Sequence, residues 1–485
     1  MEDTIVLYPA PGRGHVNSTI EFGKLLLRHY NHHPAAAVTI TVVITPLPFE
    51  TSSPAVDTYL DSVSADHNAS ITFLRLPLLS PSTYSVGGDF ATAIPALFYR
   101  LPLLQNPHLR GSLSDLSKSK RVKALVLDFF CNAAVRVADE LGIPFYFYFT
   151  SCACDLAQFL HFPVTHGASV KGVVDSPVPV PGLPPVPSED IPPAMADRSC
   201  EAYSDFIDTA HNMVRSAGLI VNSFELLEGK AIRAIAEGKC TPGRRPPPVY
   251  CVGPVVEEGK GRNCSRRHAC LTWLDSQPKG SVVFLCFGSA GVFSRAQITE
   301  VAIGLERSGA RFLWVVKNLA IGGGRPTTED DEFDLGSILP SGFLHRTEGR
   351  GFLVKRWAPQ VEVLNHESVG GFVTHCGWNS VLESLCAGVP MIGWPLYAEQ
   401  RLNRHFMVEE MGVALELTES EGQIVKAEEL EKQVVELMMM VSRSEKGKAV
   451  RERVVAVKAG AAVAMSDGGS SRVAVTKLVE SFRQC

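Results

Sequence analysis

An α/β protein made of two doubly wound parallel-sheet units is what this sequence predicts, and three observations carry that reading. Over the first half, short β-branched or aromatic runs alternate with amphipathic helical patterns, the rhythm of a parallel sheet wrapped by helices. A Pro/Gly/Arg-rich stretch at 241–253 interrupts that rhythm, and a second strand-and-helix series begins near Ser281. The 485 residues also exceed what one ordinary core of about 150 residues accommodates.

Taken in order, the candidate strands of the first half are 4–8, 38–44, 71–76, 123–128, 144–150 and 219–222. Between the first two, residues 17–30 set Phe22, Leu25 and Leu26 on one face, which predicts the first crossover helix. The segment 176–193 is so rich in proline that a long surface loop is expected there, because proline fixes φ and removes a donor. In the second half the candidate strands are 282–287, 312–316, 352–355, 371–374 and 391–393. Leu430, Val434, Leu437 and Val441 mark a later helix face, and Val475, Leu478, Val479 and Phe482 mark the last one. The expected division is 1–240, then 241–465 with the linker at its start, then a terminal helix at 466–485 packing back on the first half. Paired sheets of this kind hold ligands at the carboxyl ends of their strands, so the chemistry is expected in a cleft between facing units.

Composition excludes several classes. With 46 Lys and Arg against 51 Asp and Glu, the net charge of -5 offers no excess for a nucleic-acid backbone. The acidic start and the early Pro and Gly do not read as a secretory leader, and no apolar run is long enough to span a membrane, so a cytoplasmic monomer is expected. The 12 cysteines are scattered with neither a zinc-ribbon nor a disulfide pattern. The acidic run 329–332 lies beside a glycine run without ligand spacing, so no metal and no bound cofactor are expected.

The densest segment is 357–400, WAPQVEVLNHESVGGFVTHCGWNSVLESLCAGVPMIGWPLYAEQ. A strand ending at Thr374 runs into His375-Cys-Gly-Trp-Asn-Ser380 and then a helix. Gly377 lets the backbone approach a ligand, Asn379 and Ser380 suit a cap, and the amides of a helix N-terminus suit a diphosphate. Glu383, one turn on, is placed to accept two ribose hydroxyls, and Trp357 or a neighbour offers a flat face to a base.

Two residues of the first half suggest acid–base chemistry. His15 follows Gly12-Arg-Gly14 after the first strand, and Asp128 closes the run KALVLD; both stand at strand carboxyl ends. A His-Asp pair would let the imidazole take a proton while the carboxylate fixes its tautomer. A lone histidine after a glycine turn also reads as a cap or a satisfied polar residue.

The 357–400 segment resembles, nearly position for position, the signature box of plant secondary-product glycosyltransferases that use UDP-sugars, and the likeness extends from the opening GRGH to the closing SSRVAV. The resemblance implies the two-domain GT-B fold, with an acceptor-binding first domain and a UDP-sugar-binding second one. It puts Trp357, Ala358 and Gln360 on uracil, Glu383 on ribose, and His375, Asn379 and Ser380 on the phosphates, with Gly288 and Ser289 of CFGS closing over them. Trp378, Glu399 and Gln400 then meet the sugar. A terminal Gln accompanies glucose in this family, so UDP-glucose is the expected co-substrate, although position 399 carries Glu where Asp is common. The family also has its base His and partner Asp where His15 and Asp128 stand, and inversion at the anomeric carbon follows.

For the acceptor, a small phenol of flavonoid type, apolar walls are expected from Phe90, Ile94, Phe98, Phe129, Tyr146 and Phe149 of the first domain, with Thr150 and Tyr397 as further candidates and loops near 80–100 and 176–200 carrying much of the surface. Three alternatives stay open: transfer to a ring carbon, a silent binding protein of the same fold, and a nicotinamide-dependent oxidoreductase. The last is the poorest fit, since the glycines at 12 and 14 lack a third.

Overall fold

The computed structural model describes residues 1–31, 38–47, 60–61, 63–67, 70–80, 90–168, 179–257, 267–317, 334–420, 424–438 and 445–484. The acidic run 329–332 and Val441 lie outside them, as does the side chain of Phe90. The chain divides into two compact units, 1–256 with 463–485, and 257–462.

The first unit holds a seven-stranded sheet in the order β3-β2-β1-β4-β5-β6-β7. Its strands are β1 (Glu2–Tyr8), β2 (Val38–Ile44), β3 (Ile71–Arg75), β4 (Lys120–Asp128), β5 (Phe145–Phe149), β6 (Leu219–Val221) and β7 (Val249–Cys251). All the pairings are parallel. Burial on both faces explains why these strands read as continuous apolar runs. The strand β7 falls inside the segment 241–253 that the sequence offers as a linker, so that segment belongs to the first sheet. It is a three-residue edge strand entered from Pro246, Pro247 and Pro248, and an edge tolerates proline where a central strand does not.

Helix Arg13–Asn31 follows β1 and buries Phe22, Leu25 and Leu26 against the sheet, as the apolar spacing predicts. Residues 90–100, expected as loop, open the long helix Phe90–Ser119 despite Pro95, Pro102 and Pro107. Leu97, Leu101, Gln105, Leu109 and Leu113 are buried at every fourth position, and tertiary packing of that stripe outweighs the local cost of the prolines. The proline-rich stretch is irregular over 179–187, but Pro193 opens the four-residue helix Pro193–Ala196, where a missing amide is no loss. Helix Ser470–Gln484 returns to the first sheet. Val475, Leu478, Val479 and Phe482 share one core with Ile5, Leu7, Val126, Tyr146 and Tyr148, and Ser471 donates to the carbonyl of Gly253.

The second unit has a six-stranded parallel sheet in the order β10-β9-β8-β11-β12-β13. The strands are β8 (Val282–Cys286), β9 (Arg311–Val316), β10 (Gly351–Lys355), β11 (Val369–Thr374), β12 (Met391–Gly393) and β13 (Ala414–Glu416). Each sheet runs outward in one direction and then restarts on the other side of its founding strand. The switch points are therefore β1/β4 in the first unit and β8/β11 in the second, where an open α/β sheet leaves a crevice beyond its carboxyl ends. No described helix is long and apolar enough to cross a membrane.

Candidate active site

Each switch point carries one of the residue groups singled out above. In the first unit, β1 and β4 run side by side with Tyr8 opposite Leu127, so the segments leaving them emerge together. His15 lies in the first turn of helix Arg13–Asn31 rather than in a loop before it, and Asp128 is the last residue of β4. His15 Nδ1 is 2.7 Å from Asp128 Oδ2. The carboxylate is fixed from its other oxygen, because Asp128 Oδ1 accepts from the Phe130 amide at 3.0 Å and caps a 3₁₀ turn at Phe129–Ala134. The imidazole side chain keeps 23% of its surface exposed while that of Asp128 keeps 1%, so a substrate can reach the base but water cannot solvate its partner. An Nδ1–H donated to a buried carboxylate leaves Nε2 as the basic nitrogen.

Thr150, named above as an acceptor candidate, meets this pair. Its Oγ1 lies 3.0 Å from His15 Nδ1 and 3.3 Å from Asp128 Oδ2, one residue past the end of β5. Three phenylalanines surround the imidazole: Phe98 at 6.0 Å, Phe129 at 6.2 Å and Phe130 at 5.7 Å between ring centroids. Phe130 escaped the sequence reading, although its position just beyond Asp128 at a strand end was the available signal. Ile94 is half-buried one helical turn before Phe98, and Phe149 packs on Phe129 at 5.2 Å. Tyr146 does not join them. Strand side chains alternate, and Tyr146 points to the opposite face, where it is 1% exposed, packs on Phe482 and donates to Ser481 Oγ at 3.0 Å.

In the second unit, β8 and β11 present Gly288 and His375 together. Gly288 has φ 69°, and a Cβ there would stand 2.4 Å from His375 Nε2; at Gly377 it would stand 2.5 Å from the same atom. Only glycine admits the imidazole so closely from both sides. His375 is 7% exposed, and its Nδ1 is buried without a hydrogen-bond partner. Burial, assisted by Lys317, pushes its pKa down to about 3, so the ring is neutral at ordinary pH. Lys317, which sequence reasoning did not single out, follows β9 and donates its Nζ to the Gly288 carbonyl.

Gly377 caps helix Trp378–Ala387, whose first turn carries Trp378, Asn379 and Ser380. The Trp378 indole is buried at 2%, so its backbone is what it offers to a ligand. Gln360 Nε2 donates to Ser380 Oγ at 2.9 Å and to Glu383 Oε2 at 2.7 Å. Burial pushes the Glu383 carboxyl up to about 7 against the opposing pull of that Gln360 bond. Trp357 stands out with 52% exposure, its ring edged by His268 at 6.1 Å, beside the buried Ala358. Further on, Gln400 is buried, and its Oε1 accepts from the amides of Leu396 and Tyr397 at 2.9 and 3.0 Å, which leaves Nε2 as the atom that faces other partners. Glu399 precedes helix Gln400–Glu409 as its cap residue, Ser289 is exposed beyond Gly288, and the Tyr397 ring lies 6.2 Å from that of His375. Among the described residues no group of three His, Cys, Asp or Glu side chains is placed to hold a metal ion.

A family model described as "UDP-glucoronosyl and UDP-glucosyl transferase" matches residues 251–447. The chain is 44% identical over 494 residues to an anthocyanidin 5,3-O-glucosyltransferase of a Rosa hybrid cultivar, with 99% of each chain covered. It belongs to the plant UDP-glycosyltransferase family. This UDP-glycosyltransferase is also 43% identical over 503 residues to isoflavone 7-O-glucosyltransferase 1 of Glycine max, each chain covered in full. Among solved structures, Phytolacca americana UGT2 complexed with UDP-2fluoro-glucose and pterostilbene matches it with a TM-score of 0.85 at 34% identity, over 99% of this chain and 100% of that one. The two units are thus the two Rossmann-like domains of a GT-B fold, and membership of an enzyme family removes both the oxidoreductase and the silent binding protein from consideration.

Proposed function

We propose that this UDP-glycosyltransferase moves glucose from UDP-glucose to a hydroxyl of a small phenolic, flavonoid-like acceptor, with inversion at the anomeric carbon. The carrying observation is the 2.7 Å contact between His15 Nδ1 and Asp128 Oδ2 at the first switch point. His15 Nε2 takes the proton of the acceptor hydroxyl, and the phenolic oxygen attacks the sugar carbon from the side opposite UDP. The imidazolium that forms is paired at once with a buried carboxylate, so charge appears where a countercharge is already fixed. Phe98, Phe129 and Phe130 around the imidazole suit a flat aromatic acceptor.

On the donor side, Trp357 offers an exposed indole face to uracil, with Ala358 and Gln360 beside it; Glu383 accepts from the ribose hydroxyls. His375, Asn379 and Ser380, with the turn of Gly288 and Ser289, take the diphosphate at the N-terminus of helix Trp378–Ala387. The Trp378 backbone, Glu399 and Gln400 recognise the sugar, with Gln400 acting as a donor because its amide oxygen is already engaged. Glucose and an oxygen nucleophile are supported by the names of the Rosa and Glycine relatives, both O-glucosyltransferases. The ten cysteines among the described residues are all free thiols, which supports a reducing, cytoplasmic location.

The test is incubation with UDP-glucose and a panel of flavonoids and simple phenols. UDP should appear in proportion to acceptor, and the product should be cleaved by acid. A glucoside that resists acid would mean a carbon–carbon bond, and no acceptor-dependent UDP release across the panel would overturn the reading.

A further inference from the structure

We infer that Asn403 is a positioning residue of the donor end: its side-chain amide holds the turn expected to take the diphosphate and the carboxylate expected to meet the sugar in one fixed relation. The inference rests on the UDP-sugar reading above and adds a residue to it.

The two groups leave different strands. The turn 375–377 follows β11, whereas Glu399 and Gln400 come after β12, at the start of helix Gln400–Glu409. Diphosphate and hexose are covalently joined, so the groups that hold them must keep their spacing to about 0.5 Å. The sheet ladder ties the two segments as far as the Trp394 amide, which donates to the Thr374 carbonyl at 2.8 Å. Asn403 ties them again beyond that point.

Asn403 lies in the first turn of helix Gln400–Glu409 and is fully buried. Its Nδ2 donates to the Cys376 carbonyl at 2.9 Å and to Glu399 Oε1 at 3.4 Å. Carbonyl and carboxylate oxygens only accept, so both contacts require the NH2 end of the side chain. Cys376 is a left-handed residue, φ 65°, directly before Gly377. In a planar trans peptide the carbonyl and the following N–H point in opposite directions, so fixing the Cys376 carbonyl also fixes the Gly377 N–H, directed away from Asn403. Gly377 caps helix Trp378–Ala387, and a cap amide has no partner within its own helix, which makes it one of the donors an anion meets there. At the other contact the bond sets the direction of the Glu399 carboxylate. The Glu399 carbonyl also accepts from the Asn403 amide at 3.0 Å, so backbone and side chain of one buried residue hold it together. Without the side-chain amide, the buried Cys376 carbonyl loses a donor, and the turn is expected to shift to recover one.

An asparagine that only stabilised the fold would affect every ligand of the second unit alike, and the test separates the two roles. Wild type, Asn403→Ala, Glu399→Ala and the double variant are titrated calorimetrically with uridine, UDP and UDP-glucose, with a circular-dichroism melt of each. In Asn403→Ala the expected result is uridine affinity unchanged within about twofold, UDP affinity lower by roughly tenfold, and UDP-glucose affinity lower by roughly a further threefold. That further loss should vanish in the Glu399→Ala background, because the carboxylate it acts through is gone. Three results overturn the inference: equal loss of uridine and UDP, unchanged UDP binding, or a UDP-glucose loss that is no greater than that of UDP or persists in full without Glu399. Asn403→Ser, a smaller loss of buried volume, is carried alongside; if neither variant folds, Asn403 is a determinant of folding and the inference falls. Failure of the wild type itself to bind UDP would remove the donor reading together with this one, and is recognised without any variant.

Discussion

Replacing Asp128 by Asn removes a charge while preserving shape, and the structure says what must follow. Asn Oδ1 can still accept from the Phe130 amide, which keeps the cap of the 3₁₀ turn. That orientation leaves Nδ2–H facing His15 Nδ1, where the carboxylate oxygen stood at 2.7 Å. Two donors cannot share that contact, so Nδ1 must become the acceptor and the ring proton moves to Nε2. The nitrogen meant to receive the acceptor's proton is then already protonated. The lost stabilisation of the imidazolium can be bounded by Coulomb's law: unit charges roughly 4 Å apart at an effective dielectric of 20 attract by about 4 kcal/mol. At about 1.4 kcal/mol per decade this is a fall of roughly a thousandfold in turnover. The assay is UDP release at saturating UDP-glucose and phenol, with calorimetric UDP binding measured beside it. Binding should be unchanged, because Asp128 belongs to the first unit and the donor box to the second. A variant that binds UDP normally and keeps more than a tenth of wild-type turnover would refute the pairing.

Other expectations follow from the same geometry. Gly288→Ala puts a methyl 2.4 Å from His375 Nε2 on a backbone at φ 69°, so UDP affinity should fall at least about tenfold and the melting temperature should fall with it. Glu383 titrates at about 7 in the free enzyme, and ribose hydroxyls donate to its ionised form; UDP binding should therefore strengthen as pH rises from about 5 to 7, by up to about tenfold per unit, flatten above, and lose this slope in Glu383→Gln. The stability sign is opposite: between the ordinary 4.5 and about 7 the folded chain holds a proton that the unfolded chain has released, so unfolding free energy contributed by Glu383 falls as pH rises through that window, as chemical denaturation at stepped pH would register. Phe482→Ala empties a fully buried site between the last helix and the first sheet and should cost about 3–5 kcal/mol in denaturant unfolding. A loss under about 1 kcal/mol would mean that helix contributes little to the core.

The elements legible in the sequence were those whose burial is symmetric. Central strands such as β1, β4, β8 and β11 are covered on both faces, so they survive as unbroken apolar runs that pattern reading finds. The edge strand β7 is disguised by the prolines before it. Helix Phe90–Ser119 was hidden for the opposite reason, since three internal prolines argue locally against a helix that long-range packing sustains. Around His15, alternation along β5 could have separated Tyr146 from Phe149, because residues three apart on a strand face opposite ways. Lys317 lies one residue past β9, as Thr150 does past β5, and attention to strand ends rather than to residue type marks Lys317 as well.

Backbone strain points to the same strand ends by an independent route. Among the described residues three non-glycines adopt a left-handed conformation: Arg356, Cys376 and Ala398, with φ of 69°, 65° and 56°. All three lie in the second unit, and each immediately precedes part of the donor box, namely Trp357, the Gly377 cap and Glu399. A side-chain-bearing residue in this region costs about 1 kcal/mol or more, so three of them are not a by-product of folding. The arrangement has a physical reason. A chain leaving a buried strand must reverse its course within a residue or two if an indole, a helix N-terminus and an amide are all to converge on one ligand, and a left-handed residue is the shortest way to do so. Glycine would ease the turn at each position but would leave it free to open in the unliganded enzyme. At Cys376 an anchored side chain holds the turn in place: it is fully buried and its Sγ donates to the carbonyl of Thr374, whereas Arg356 and Ala398 are exposed. If the proposed donor site is right, strain at these strand ends places its groups before nucleotide arrives, and folding rather than binding carries that ordering cost.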